Sequence, residues 1–361
     1  MREGWKGMKI ADICEKASSN IALNKIQDID GDYPIYGASG YIKNVDFYHR
    51  DKAYIGVVKD GSGVGRVNTY PPMTSLLGTM QYILPKDGYC LGYVAYALKS
   101  LNLASFASGA AIPHIYFRDY GQCEICVPSL QEQERIVAEL DLLTGIIDKQ
   151  KQQLKELDTL AQSIFYDMFG SPDANEKEWI MKSLAEIGTI VSGSTPSTSD
   201  ESNWDGDVNW VTPAELGVQL FYGETRRKIT SKAAKSLIIM PIGTLLMSSR
   251  APIGKLAITS VPMCCNQGFK NIVCGNNVNN IYLYYCLMLN INSIKAMGRG
   301  ATFKEVSKQA VSSFEIMLPP MNLQELFAQK ILSIESQKKS INRSIAESQK
   351  LFDYTMDKYF G

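Results

Sequence analysis

No stretch of this chain holds the ~18 consecutive apolar residues of a membrane-spanning helix, which argues against an integral membrane protein. The opening residues MREGWKGMKIADI lack an apolar core followed by a small-residue cleavage site, so no secretory leader is expected. Histidine is scarce: His49 and His114 are the only two, and they offer no ligand cluster. The eight cysteines are scattered, unlike the dense spacing of a disulfide framework. Cys123 and Cys126 make one CxxC with no second pair at finger spacing, and Cys264 and Cys265 are adjacent, so no zinc site is expected. These absences point to the cytoplasm.

A surplus of positive charge is missing too. Lysine plus arginine number 37 and aspartate plus glutamate 37, whereas a nucleic-acid binder is expected to carry a basic footprint. Divided by region, residues 1–130 hold 13 basic and 12 acidic side chains, and 171–321 hold 14 and 12. Residues 131–170 hold 4 and 8, and 322–361 hold 6 and 5. Charge alone does not suggest DNA. What the chain does have is length, 361 residues, and a 45% hydrophobic, 20% charged composition. That is enough for two globular domains with their own cores.

The sequence repeats itself. Displaced by 191 positions, residues 93–170 lie over 284–361 without a gap, with Tyr93 on Tyr284, Gly109-Ala110 on Gly300-Ala301 and Phe169-Gly170 on Phe360-Gly361. Glu124-Ile-Cys-Val-Pro128 falls on Glu315-Ile-Met-Leu-Pro319, and Gln133-Glu134 on Gln324-Glu325. The front ends match at 174 positions, Trp5 on Trp179 and Ile10–Ile13 on Leu184–Ile187. The second copy therefore carries 17 further residues (191 − 174), and there the two copies are expected to differ in what they bind.

Each copy ends in a helical pattern. In the first, Ile136, Leu140, Leu143, Ile147, Leu154, Leu157, Ala161, Ile164 and Met168 follow a 4-3 spacing broken only by Gln150. In the second, Phe327, Ile331, Ile334, Lys338, Ile341, Ile345, Ser348, Phe352, Thr355 and Tyr359 do the same. Sustained at a 3.5-residue period, this predicts a coiled coil in which the two helices pair, with Lys338 and Ser348 as polar positions suited to fixing register. Pro128-Ser129 before Glu132 has the spacing of a capping box. The globular parts mix short strands (53–58, 243–247) with short helices (93–103, 281–290).

In order and in duplicate, these features resemble the specificity subunit of Type I restriction-modification systems over essentially the whole chain. The residues that carry the likeness are Val127-Pro-Ser-Leu-Gln-Glu-Gln133, echoed by Leu318-Pro-Pro-Met-Asn-Leu-Gln324; Val191-Ser-Gly-Ser-Thr-Pro196 before Val208-Asn-Trp-Val-Thr-Pro213; and Ser249-Arg-Ala-Pro-Ile-Gly254 leading to Asn266-Gln-Gly-Phe-Lys-Asn271. Leu323 departs from the pattern, standing where the first copy has Glu132. The resemblance implies an α+β fold: target-recognition domains over 1–130 and 171–321, and spacer helices over 131–170 and 322–361. The helices would pair as an antiparallel coiled coil with internal pseudo-two-fold symmetry. It further implies that each domain reads one half of a bipartite, asymmetric site in double-stranded DNA. Two modification subunits would supply S-adenosylmethionine and methylate adenine, and restriction subunits would supply ATP- and Mg-dependent translocation and cleavage. The chain itself would bind no cofactor and perform no chemistry.

Sequence reading needs loops that present hydrogen-bonding side chains to base edges. In the second domain Ser249, Arg250 and Lys255 are candidates, with Arg250 suited to a bidentate guanine contact. The aligned glycine-rich loop of the first domain offers Lys59, Ser62 and Arg66; no Walker Lys-Ser/Thr follows it, which argues against a nucleotide cradle. A second loop pair supplies Ser108 and His114 in one copy and Arg299, Thr302 and Lys304 in the other. Tyr36 and Ser39, matched in role by Trp210 and Thr212, form a third, although such aromatics are more often core. Arg226, Arg227 and Lys228 suit phosphates as well as they suit a solvated face.

The rivals are of other classes. An adenine methyltransferase needs an Asn/Asp-Pro-Pro-aromatic tetrapeptide, and the Pro-Pro pairs here, Pro71-Pro72 and Pro319-Pro320, do not fit it. A coiled-coil adaptor without a DNA role, or the specificity subunit of a Type IIB-like or orphan methyltransferase complex, are the alternatives.

Overall fold

The computed structural model describes residues 4–109, 111–250, 252–298 and 305–361. They form two compact units: residues 1–151 with 342–361, and residues 152–341. Both long helices are continuous, Leu130–Phe169 and Met321–Phe360, so each begins in one unit and ends in the other.

In the first unit Lys6–Lys9 pairs antiparallel with Glu124–Val127, and the chain then makes one helical turn, Ile10–Ile13. A four-stranded antiparallel sheet follows, in the order Cys14–Ser18, Met80–Pro85, Tyr54–Val58, Val67–Tyr70. A smaller sheet orders Gly40–Val45, Tyr33–Gly37 and Ser75–Leu76, the last two strands parallel. Tyr54–Val58 is buried throughout because both of its faces are covered. Ile55 and Val57 join the core beneath the helix Leu91–Ser100, while Tyr54 and Val58 join a cluster on the other side. Gly56 sits where an added Cβ would come 2.5 Å from the Tyr70 ring, so a side chain there would displace Tyr70.

The second unit repeats this plan. Met181–Ser183 pairs with Glu315–Met317, Leu184–Ile187 forms the single turn, and a sheet runs Gly188–Ser192, Lys270–Cys274, Leu245–Met247, Leu256–Thr259. The smaller sheet orders Arg227–Ile229, Trp204–Val211 and Met263–Cys265, again with one parallel pair. Most of the extra residues fall in one place. The offset between equivalent residues is 175 at Tyr36 and Val211 (211 − 36) and 190 at Ile55 and Leu245 (245 − 55). The connection after the central strand of the small sheet spans 38–39 in the first copy and 212–226 in the second. This longer segment adds Phe221–Tyr222 as a fifth strand, parallel to Leu256–Thr259.

The ungapped match at 191 needs one correction. Through the short helices the true offset is 189, pairing Tyr93 with Tyr282 rather than with Tyr284. The Tyr93 hydroxyl donates to the Cys126 carbonyl (2.5 Å), and the Tyr282 hydroxyl donates to the Met317 carbonyl (2.6 Å). A buried glutamine at the start of each long helix confirms the pairing. Gln133 Nε2 donates to the Pro128 carbonyl (3.0 Å) while its Oε1 accepts from the Cys90 amide (2.8 Å). Gln324 does the same with the Pro319 carbonyl and the Asn279 amide, both at 2.8 Å. Each glutamine thus ties the start of a long helix to the start of a short one. At Ser129 the hydroxyl accepts from the Glu132 amide at 3.4 Å, and the Glu132 carboxylate pairs with Arg135.

Within each unit the helix segments pair antiparallel. In the first, Arg135 donates to the Tyr359 hydroxyl (2.9 Å) and Gln150 to Ser344 (2.7 Å), so position rises along one helix as it falls along the other. In the second, Phe165 and Phe169 meet Phe327 edge-on, and Lys338 bridges Asp158 (2.8 Å) and Glu335 (2.7 Å). Burial opposes the Lys338 charge, yet the two carboxylates hold its ammonium above the usual lysine range. Every predicted seam position is buried or half-buried. Ile136, Leu140, Ile331 and Phe327 are fully buried, whereas Leu154, Leu157, Ile341 and Ile345 are half-covered. Phe165 and Phe169, outside the predicted seam, are fully buried. Near their ends the helices also pack against a globular core, so the apolar stripe there widens beyond a two-helix seam.

Gln324→Leu keeps the bulk of the side chain but leaves the Asn279 amide and the Pro319 carbonyl without their partner. It should destabilise the second unit by about 1–3 kcal/mol for each orphaned group and speed hydrogen exchange at the Asn279 amide. An unchanged melting transition with unchanged exchange would contradict this role.

Candidate nucleic-acid interface

In the first unit the loop after Tyr54–Val58, and in the second the loop after its counterpart Leu245–Met247, meets a second loop through main-chain bonds. In the first unit this loop runs 59–66 and closes on itself, the Gly65 amide donating to the Val58 carbonyl (2.8 Å) with Gly65 at φ +85°. In the second, the Gly254 amide donates to the Ser248 carbonyl (2.8 Å) with Gly254 at φ +90°. Both positions lie in the left-handed region that favours glycine. The partner loop of the first unit is closed by reciprocal bonds between Ser108 and His114 (2.9 and 2.8 Å). Asp60 and His114 then form an antiparallel bridge, and the equivalent bridge in the second unit joins Arg250 to Glu305. The next residues repeat the pattern: the Ile115 amide donates to the Lys59 carbonyl (3.0 Å), and the Val306 amide to the Ser249 carbonyl (2.9 Å).

The loops of the first unit therefore bring Lys59, Ser108 and His114 together. Asp60 contacts the His114 Nδ1 and lies 3.7 Å from the Lys59 ammonium. Ser62 and Arg66 are exposed, and Arg66 Nε donates to the Gly63 carbonyl (3.3 Å). Tyr116, beside His114 at 4.2 Å between centroids, carries the Arg118 guanidinium over its ring at 4.5 Å. Ser39 is exposed at the hairpin turn, whereas Tyr36 is half-buried against Tyr70.

In the second unit Arg250 is half-exposed, and no carboxylate among the described residues lies within ion-pair distance of it. Ser249 is wholly buried, its hydroxyl accepting from the Lys270 ammonium (3.4 Å), so the expectation of a DNA contact there gives way to a supporting role. Lys255 donates to the Pro213 carbonyl (3.1 Å). Trp210 is corrected likewise: it is 3% exposed, donates its indole N–H to the Ser194 carbonyl (3.1 Å), and belongs to the core. In the first unit the residue in its place is Ile35, not Tyr36. The basic run is exposed, and the Arg227 guanidinium lies over the Trp204 ring at 3.7 Å. Arg299, Thr302 and Lys304 lie outside the described residues.

Three acidic residues organise these loops and were not among the sequence candidates: Asp60, Glu305 and Glu215. Glu215 accepts from the Thr212 amide and hydroxyl (both 2.9 Å), the Arg226 amide (2.7 Å) and the Tyr222 hydroxyl (3.1 Å), so it holds the 212–226 segment together. Thr212 is thereby committed to its own turn. The Thr-Pro-x-Glu spacing of 212–215 is a capping box and was legible as one.

Among the described residues no group of three or more His, Cys, Asp or Glu side chains is placed to hold a metal. Burial pushes the Cys264 thiol up to about 11 and the Cys265 thiol up to about 12, away from the thiolate that metal binding requires. Among the described residues no helix is long and apolar enough to cross a membrane.

The Type I restriction modification DNA specificity domain matches twice, over residues 2–159 and 176–348. The chain is 39% identical over 158 residues to the specificity subunit of the Type I restriction enzyme MjaIX of Methanocaldococcus jannaschii, covering 42% of this chain but only 37% of that subunit. It is 27% identical over 291 residues to the EcoR124I/EcoR124II specificity subunit of Escherichia coli, covering 75% of this chain and 70% of that one. In fold it resembles the crystal structure of the Type I restriction-modification S subunit from M. genitalium, with a TM-score of 0.65, 16% identity, and 99% and 96% of the two chains covered. With the same fold repeated in both units and both repeats matched, the chain belongs to the family of Type I restriction-modification DNA specificity domains.

Proposed function

We propose that this chain is the DNA-reading, non-catalytic subunit of a Type I restriction-modification complex. The observation that carries this reading is one scaffold built twice with different side chains at the same loop positions. Asp60 and His114 stand in one unit where Arg250 and Glu305 stand in the other, and the 212–226 segment is present in one alone. A scaffold duplicated this way suits two unlike halves of an asymmetric, bipartite duplex site, with the paired helices setting the gap between them. The described loops carry exposed arginine and serine and half-exposed lysine suited to phosphate, and Arg250 suited to guanine. The partners follow from the same reading: two modification subunits that bring S-adenosylmethionine and methylate adenine, and restriction subunits that use ATP and Mg. The chain works in the cytoplasm, where such partners and their DNA are found.

Arg250→Ala, in complex with the modification subunits, should relax one position of the half-site read by the second unit, with a loss of about 1–3 kcal/mol of discrimination. Competition binding against a site library measures it. An equal loss on every sequence, with a shallower salt slope, would make Arg250 a phosphate contact instead.

A further inference from the structure

The residue at the tip of the second-loop bridge is charged in one unit, ionisable in the other, and in both cases held by a partner from beneath or beside it. In the second unit Glu305 is 41% exposed at its side chain and Lys270, its partner at 3.2 Å, is 9% exposed. Lys270 stands on the strand under the loops, and its ammonium also reaches the Ser249 hydroxyl (3.4 Å), so one buried cation fixes both loops at their crossing. The lysine engages Glu305 Oε1, while Oε2 has no partner among the described residues. In the first unit the equivalent His114 is engaged by Asp60 through Nδ1, which leaves Nε2 uncommitted among the described residues. The strand position equivalent to Lys270 is Gln81, 3% exposed and bonded to the Tyr120 hydroxyl.

This inference rests on the DNA reading proposed above. We infer that Glu305 is a specificity-determining residue: it accepts a hydrogen bond from the exocyclic amine of a cytosine or adenine, in the half-site that Arg250 also reads. Three features converge on this. A carboxylate is acceptor-only, so it selects the bases that present an amine in the major groove, cytosine through N4 and adenine through N6. Glu305 is bridged by main chain to Arg250, whose fork matches guanine O6 and N7, so the two residues offer complementary chemistry to neighbouring groups on a duplex. Lys270 is the positioning residue. It offsets the carboxylate's charge, which phosphates would otherwise repel, and leaves Oε2 available. An isolated acid on a DNA-facing loop would weaken binding; an acid paired from beneath does so less and keeps its selectivity.

The test uses the full chain with its modification subunits and a duplex library randomised across the target. Wild type should prefer an amine-bearing base at one position, and Glu305→Gln, which offers an amide donor beside its acceptor, should lose about ten- to a hundredfold of that preference while the other half-site is read as before. Lys270→Met should relax the same position, and Lys270→Arg should restore it, a rescue that a purely structural role would not confine to one base. Binding to non-specific duplex at low salt reports whether each variant is folded. A Glu305→Gln complex with an unchanged preference profile would overturn this assignment and leave the DNA reading intact. A wild-type complex with no sequence preference at all would overturn both.

Discussion

Neither globular repeat closes its own core. The first unit takes in Phe352, Met356, Tyr359 and Phe360 from the end of the second long helix, and the second takes in Phe165 and Phe169 from the end of the first. Phe165, Phe169 and Phe327 are fully buried, each contributing roughly 1.5–3 kcal/mol by area alone. The loops that carry candidate contacts hang from sheets whose helix-side faces are covered partly by these helix ends. Positioning of the loops therefore depends on the helices, and the helices on the antiparallel pairing that Arg135–Tyr359 and Lys338–Asp158 mark. The same chain segments serve as core and as connection, which is why a helix with a two-sided apolar stripe recurs at the same place in both copies.

Much of this was legible in the sequence, and the parts that were not have physical reasons. The helices and the 174-position match at the front were readable because apolar spacing and turn residues fix them. The short helices slipped by two residues because Tyr282, Tyr284 and Tyr285 look alike in sequence, and only the hydroxyl of Tyr282 reaches the strand carbonyl that Tyr93 reaches in the first copy. Phe165 and Phe169 escaped because a 3.5-residue template describes a helix packed on one partner, not one packed on two. Trp210 and Ser249 sit in segments that read as contact loops, yet their side chains turn to the interior, a distinction that residue type cannot make.

The candidate site shows the same division. The loops were found from the sequence, and their convergence was not, because main-chain bridges between residues far apart in the chain leave no local pattern. Basic and hydroxyl side chains are the ones that suit phosphates and base edges, so sequence alone does not single out Asp60, Glu215 and Glu305. Each proves to be an organiser of a loop: Glu215 with four hydrogen bonds to its own segment, Asp60 with His114, and Glu305 with Lys270. Acidic residues near DNA are costly in isolation, and these are paired or bonded, so a net charge of zero does not stand against the proposed DNA-reading role.

Mapping methylated adenines across the host genome, with and without this chain, is the deciding measurement for the proposed reading of a two-part site. A methylated motif of two unlike halves separated by a fixed number of unread base pairs is expected, with both halves vanishing together when the chain is removed. A continuous motif, or adenine methylation indifferent to the chain, would contradict it.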